Sequence, residues 1–326
     1  MAAKPDSGRP FRWAALACTA VILVAVGVGP ETVGAAGPPV APAGLEWRRV
    51  WAAEPVISVF LDDRGYSVSM AMEEYLAGVI AAEMDPDWPL EALAAQAVCS
   101  RTETLRNMQL GIGPRRIHGT DACTSPQHLQ AYAPARINAA VRQAVAMTRG
   151  QVLTYDRDLI FSLYSNSAGG LTATGREAFP DLGHPSPYLA SVPSLGDAVT
   201  PPAEETWRLA VPRWQLEGVT GAAPGSSSTV KISRYGVSGR ALEITVGSKK
   251  ISGPALREAV GSDVFRSTLI TSIDQGTGAV IFTGRGWGHG TGLDQRGAQA
   301  LAQAGWKASA ILTHYFQGCA LERLWK

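Results

Sequence analysis

The sequence predicts an α+β fold, with helices and strands mixed in two lobes around a cleft and an N-terminal transmembrane helix ahead of them. Three observations carry this expectation. Charge disappears between Trp13 and Pro30, after Lys4, Arg9 and Arg12. Apolar residues recur at helical spacing in some later stretches and alternate in others. The middle of the chain, about residues 221–283, reads as a β-rich subdomain inserted between helical flanks.

The organisation follows in order. Residues 1–30 are an anchor or a signal: the uncharged run is at the short end of what spans a bilayer, and the basic residues before it put that end in the cytoplasm and the bulk of the chain outside. Val33, Gly34 and Ala35 also resemble a small-residue cleavage site. Residues 31–44 form a Pro, Gly and Ala linker, and residues 45–326 are the folded region. Within it a strand over Val56–Leu61 precedes a helix over about residues 70–84. Pro89 opens a second helix, to about 108, with Leu90, Leu93, Ala97 and Leu105 as its buried stripe. A loop over 111–133 leads to a helix over 134–148. A hairpin pairs Gln151–Tyr155 with residues 159–164, and residues 176–202 read as irregular surface. A short helix is expected over 207–218, strands over 229–233, Ala241–Val246, 268–273 and 279–282, and a helix near 254–260. Two helices, 293–304 and 308–316, close the chain.

Composition removes several classes of function. With 29 Lys and Arg against 28 Asp and Glu, and no run of like charge, no nucleic-acid partner is expected. Outside the N-terminal run stand Cys99, Cys123 and Cys319, an odd number that argues against a full disulfide framework.

Four places carry chemistry. Glu83 shares a helical stripe with Leu76, Val79 and Ile80, which directs its carboxylate inward. A half-buried carboxyl keeps its proton longer, as a general acid for a glycosidic oxygen requires, whereas the competing reading is a solvated helix-terminal Glu. Across the helix pair Gln96, Ser100 and Arg101 can face it. In the loop, His118, Cys123 and His128 offer three zinc ligands, with water, Cys99, Asp121 or nothing as the fourth; a polar loop with two surface histidines is the alternative. The run from Gly284 to Gly290 sets glycines at alternate positions, so that substrate or another chain segment can approach while Trp287 and His289 project. It lacks the Lys-Ser or Lys-Thr of a phosphate loop. Tyr164, Ser165, Asn166 and Ser167 present short polar side chains suited to sugar hydroxyls and amides, or form a polar turn.

YLAGVIAAEM, WPLEALAAQAVCSRT, YSNSAGGLT and GRGWGHGTGLDQRGA followed by ILTHYFQG occur in that order, and through them the chain from about Leu45 onward resembles the stage II sporulation protein D family, which includes amidase-enhancer proteins. The resemblance implies a membrane-anchored, single-pass peptidoglycan lytic transglycosylase with its catalytic region outside the cell. Its implied substrate is glycan strands stripped of their peptides, during engulfment in endospore formation. It implies Glu83 as the acid/base, a substrate cleft drawing on Gln295 as well as the polar residues above, and zinc on His118, Cys123 and His128. The chain departs from the family pattern at Leu129, where a Cys commonly follows the second loop histidine, at Ala168 before the glycine pair, and at Asp294-Gln295-Arg296-Gly297.

One acid suffices for transglycosylation. Glu83 would protonate the bridging oxygen and then take the proton of the sugar's own 6-hydroxyl, closing a 1,6-anhydro ring. A hydrolase usually needs a second carboxylate about 5 to 9.5 Å away, for which Asp85, Asp87 and Asp294 are candidates. The rival from another class is a noncatalytic glycan-binding protein that stimulates an amidase; a zinc peptidase would need HExxH, which is absent.

Overall fold

The computed structural model describes Arg48 and residues 51–182, 186–225 and 229–326. The expected anchor, cleavage site and linker all lie outside these residues. Among the described residues no helix is long and apolar enough to cross a membrane.

Strand β1 (Val56–Leu61) turns at residues 62–65 into β2 (Tyr66–Ala71), and the two pair antiparallel. Helix α1 (Met72–Glu83) follows without a break, so the sequence-predicted helix begins two residues late and a strand was missed. Tyr66, Val68 and Met70 alternate with Ser67 and Ser69, a period of two hidden by the helix-forming residues after it. Helix α2 (Leu90–Leu110) runs two residues beyond expectation to Gly111, which caps it at φ 60°. The loop after it is not featureless. It contains α3 (Pro114–His118) and β3 (Ala122–Cys123), and β3 pairs parallel to β1 with Phe60 opposite Cys123.

The helix expected over 134–148 is a 3-10 turn, Pro134–Arg136, followed by α4 (Ala139–Met147), because the Asn138 side chain accepts from Val141 N–H and starts the helix there. Strand β4 (Gln151–Tyr155) pairs with β5 (Asp158–Leu159) as a hairpin. The expected long second strand is divided, since β6 (Tyr164–Ser165) leaves to pair elsewhere. The stretch expected to be irregular carries short helices at Gly175–Ala178 and Pro202–Glu205.

The β-rich lobe begins earlier than the sequence suggested. β7 (Thr206–Pro212) is a strand where a helix was expected, its buried Trp207 and Val211 alternating with exposed Arg208 and Ala210. Helix α5 (Arg213–Thr220) comes after it. Strands β8 (Val230–Tyr235), β9 (Ala241–Val246) and β10 (Lys249–Ser252) form one antiparallel sheet, and α6 (Gly253–Val260) packs on it. β11 (Ile270–Gln275) and β12 (Ala279–Arg285) join β7 in a second sheet. β13 (Leu293–Asp294) pairs parallel with β6, and Asp294 then caps α7 (Gln295–Gln303) by accepting from Gly297 N–H. Helix α8 (Ala308–Tyr315) precedes β14 (Ala320–Arg323), a strand the sequence did not reveal, which lies along β4.

Three apolar clusters hold this arrangement. One joins α2, α4, α7 and α8, a second packs α1 against β1 and β3, and a third, from Trp207 to Phe282, is the core of the β-rich lobe. Helix α2 is the axis of the molecule. Leu93, Ala97 and Leu105 are buried as expected, but so are Gln96, Ser100, Arg101, Thr102, Glu103 and Thr104 between them. A helix enclosed on all sides must pair its polar side chains internally, and that requirement shapes the site.

Candidate active site and metal centre

Leu76, Val79 and Ile80 are fully buried on α1, and Glu83 is half-buried at the end of their stripe. Glu83 stands in the last turn of the helix, the negative end of the helix dipole and the end that does least for an anion. Its carboxylate accepts a hydrogen bond of 2.8 Å from Ala131 N–H. Five residues back, Gly78 C=O accepts from Ala133 N–H at 2.9 Å, so the segment 131–133 is docked along α1 at both ends. Between them the Tyr132 ring lies directly on Gly78. A Cβ at Gly78 would stand 2.2 Å from the ring, so only glycine permits the contact.

Tyr132 also lines a cavity of about 440 Å³, together with Asp62, Asp63, Arg64, Thr124 and Pro134. A space of that size is in the range that holds small ligands. Glu83 is therefore anchored one residue along the chain from a cavity wall.

Beneath this surface the polar side chains of α2 form a network. Gln295 donates to Gln96 at 3.4 Å, Gln96 to Ser100 Oγ at 3.0 Å, and Gln130 to Ser100 C=O at 3.3 Å and Thr104 Oγ1 at 2.9 Å. Tyr164 Oη completes it by donating to Gln130 Oε1 at 3.1 Å. Gln96, Ser100, Tyr164 and Gln295, all picked from sequence, are thus brought together, yet none is more than 4% exposed. They hold the floor of the site rather than lining it. Gln130, missed in the sequence, is the hub, and the next residue is the one that holds Glu83.

Arg101 does not face Glu83. It is fully buried and paired with Glu73, donating through Nε at 3.1 Å and Nη2 at 2.5 Å. Glu73 and Glu83 are ten residues apart on α1, roughly 15 Å along the helix axis. The ion pair that closes the far end of the helix has taken the arginine out of reach.

The four glycines of the run are all buried, so the close approach they permit is that of the protein's own chain. A Cβ at Gly288 would stand 2.6 Å from Ser165 Cβ, and one at Gly290 would stand 2.1 Å from Arg240 Nη2. Trp287 and Ser167 exchange backbone hydrogen bonds, and the Arg266 guanidinium lies 4.1 Å from the Trp287 ring centroid. Asn166 is half-buried, and its carbonyl accepts from Arg296 N–H. His289, expected to project toward substrate, packs instead with the Phe179 ring at 5.2 Å. Its Nδ1 accepts from Thr291 N–H at 3.1 Å. Burial, with Arg257 and Arg240 nearby, holds the imidazole down to about 3, so it is neutral at any working pH. Asp294 is also committed: it accepts from Gly297 N–H, Ala168 N–H and Ser194 Oγ. That removes it as a second carboxylate, while Asp85 is half-buried and Asp87 exposed on the turn just after Glu83.

The loop histidines and cysteine do meet. His118 Nε2 and His128 Nδ1 are 3.0 Å apart, and Cys123 Sγ is 3.4 Å from the same His128 nitrogen. At zinc distances and tetrahedral angles two such nitrogens stand about 3.3 Å apart, and a nitrogen and a thiolate about 3.6 Å. The donor set therefore fits zinc. Burial and the neighbouring His128 hold His118 below the ordinary imidazole range, which keeps a lone pair free for a metal. Burial pushes the Cys123 thiol up, while Ser125 and Thr124 N–H groups favour the thiolate. The fourth group here is Asp62, which the sequence analysis did not name; all four ligand atoms lie within 4.8 Å of one another.

Residues 65–155 match the family model "Stage II sporulation protein". The chain is 30% identical over 263 residues to stage II sporulation protein D of Bacillus amyloliquefaciens, covering 77% of this chain and 74% of that one. It is 28% identical over 263 residues to stage II sporulation protein D of Bacillus subtilis (strain 168), with the same coverage. It is also 27% identical over 294 residues to the amidase enhancer of Bacillus subtilis (strain 168), covering 76% of this chain but 40% of that protein.

Proposed function

Because the chain belongs to the stage II sporulation protein D family, we propose that it is a peptidoglycan lytic transglycosylase that cuts the MurNAc–GlcNAc bond of peptide-stripped glycan strands. The observation that carries this reading is Glu83, a half-buried carboxyl held by Ala131 N–H next to the aromatic wall of a 440 Å³ cavity.

The chemistry needs one acid in two states. Protonated, Glu83 gives its proton to the bridging oxygen as the glycosidic bond breaks through an oxocarbenium-like state. As carboxylate it then takes the proton of the 6-hydroxyl, whose oxygen attacks C1 and closes a 1,6-anhydro ring. No water enters. The Ala131 hydrogen bond orients the carboxylate, and the buried Gln96–Ser100–Gln130–Tyr164 network keeps that anchor from moving. Zinc, when bound by His118, Cys123 and His128, would brace the loop that carries Thr124, Ser125 and Tyr132. It would act as a structural ion, away from the proton transfer.

The sporulation relatives support a role in engulfment during endospore formation, with residues 13–30 holding the chain in the cell membrane and the catalytic region outside. A second reading, a noncatalytic glycan binder that stimulates a cell-wall amidase, draws on the amidase-enhancer relative. Mass spectrometry of denuded glycan strands digested by the full chain separates the readings. Transglycosylation leaves 1,6-anhydro-MurNAc ends, hydrolysis leaves ordinary reducing ends, and a pure binder leaves the strands intact.

A further inference from the structure

We propose that Asp62 is the fourth ligand of a zinc ion held by His118, Cys123 and His128, and that through this exposed carboxylate the ion fixes the turn forming one wall of the cavity beside Tyr132. The parallel pairing of β1 with β3 sets Phe60 opposite Cys123, which brings the end of β1 alongside the metal loop. Asp62 N–H then donates to Thr124 Oγ1 at 2.9 Å, pinning the residue beside Cys123. The His118 ring stacks on Phe60 with centroids 4.0 Å apart, so strand and ligand are packed as one unit.

The other candidates for the fourth position are spent. Asp121 accepts from Ser58 N–H and Oγ at 2.9 and 2.8 Å and from Arg115 at 2.6 Å. Cys99 is fully buried in the helical core on α2, and Leu129, at the position after the second histidine, packs in the cluster of α1 and β1. Charge favours Asp62 as well. A thiolate and a carboxylate with two neutral imidazoles balance the two positive charges of zinc, and a neutral assembly is the least costly to hold half out of water. Binding releases the Cys123 proton to solvent and changes no oxidation state. His118 ends α3, Cys123 lies on β3 and His128 is a half-buried turn residue, whereas Asp62 sits on an exposed turn that also lines the cavity with Asp63 and Arg64. Coordination therefore ties that turn down.

The test uses the purified full chain and zinc itself, and needs no glycan, so it stands or falls apart from the transglycosylase reading. In competition with a chromophoric chelator, Asp62→Ala is expected to weaken zinc binding roughly ten-fold or more, while Asp63→Ala binds as the parent does. Asp62→Cys supplies a second thiolate; with cobalt(II) it should show about twice the parent's thiolate-to-metal absorption, a gain that misfolding cannot produce. Zinc should slow amide hydrogen exchange over residues 62–65 in the parent and not in Asp62→Ala. Unchanged zinc affinity in Asp62→Ala, or unchanged cobalt absorption in Asp62→Cys, overturns the proposal.

Discussion

Two of the three acids of helix α1, Glu73 and Glu83, stand ten residues apart, and the protein treats them in opposite ways. Glu73, at its start, accepts from Arg101 twice, from Gly150 N–H at 3.0 Å and from Trp325 Nε1 at 3.0 Å. Glu83, at its end, is half-buried beside a cavity and holds one backbone N–H of a loop. Both oxygens of Glu73 are engaged at the closed end of α1, whereas Glu83 is held by the chain segment next to the one that lines the cavity. The two acids thus differ in their surroundings: one is enclosed by its partners, and the other stands one residue along the chain from an open space.

Glu103, on the adjacent α2, makes the same point. Burial pushes its carboxyl up to about 7, against the pull of Asn107, Ser162 and Arg106, and it is the group that a search for a raised, buried acid would select. It lies inside the helical packing, 5% exposed, where no glycan reaches.

The contrast can be broken at several points. Glu73→Ala leaves the Arg101 guanidinium buried without its partner, and should cost about 3–5 kcal/mol in chemical unfolding. A loss under about 1 kcal/mol would mean that the pair is not what closes that end of α1. Glu103 should make stability depend on pH. Its folded value near 7 lies above the ordinary carboxyl value of 4.5, so its stabilising contribution is complete below 4.5 and disappears as pH rises through 7. The change is about 3 kcal/mol, and Glu103→Gln should flatten the unfolding curve measured between pH 4.5 and 8. Gly78→Ala pushes the Tyr132 ring off α1, for about 1–3 kcal/mol by overpacking, with a change in near-ultraviolet circular dichroism as the ring moves. Glu83→Gln should have the smallest effect of the set, within about 0.5 kcal/mol, because the amide oxygen still accepts from Ala131 N–H.

Much of the helical half was legible in the sequence because local periodicity defines it. Leu76, Val79, Ile80 and Glu83 fall on one stripe, and Gly111 ends α2 by a conformation that few other residues tolerate. The missing parts depend on distant pairing. Asp62 and Cys123 meet only because β3 lies along β1, and a two-residue strand leaves no periodic trace. β14 finds β4 across most of the folded region, and β7 was mistaken for a helix because its alternation spans few residues. Gln130 gave no signal, since a lone polar residue beside Leu129 and Ala131 shows its role only through partners on α2 and β6. Which of its two expected neighbours, substrate or another chain segment, approaches the glycine run was hidden for a related reason. Its freedom from side chains is used by Arg240 and Ser165, which are far from it in sequence.

The most direct test of the account is the rate at which the full chain releases 1,6-anhydro-MurNAc ends from denuded glycan strands, compared between the parent and Glu83→Gln at equal folded fraction. A proton donor predicts a fall of about 10²- to 10⁴-fold with strand affinity retained. Release within a few-fold of the parent would show that Glu83 is a loop anchor and that the chemistry lies elsewhere.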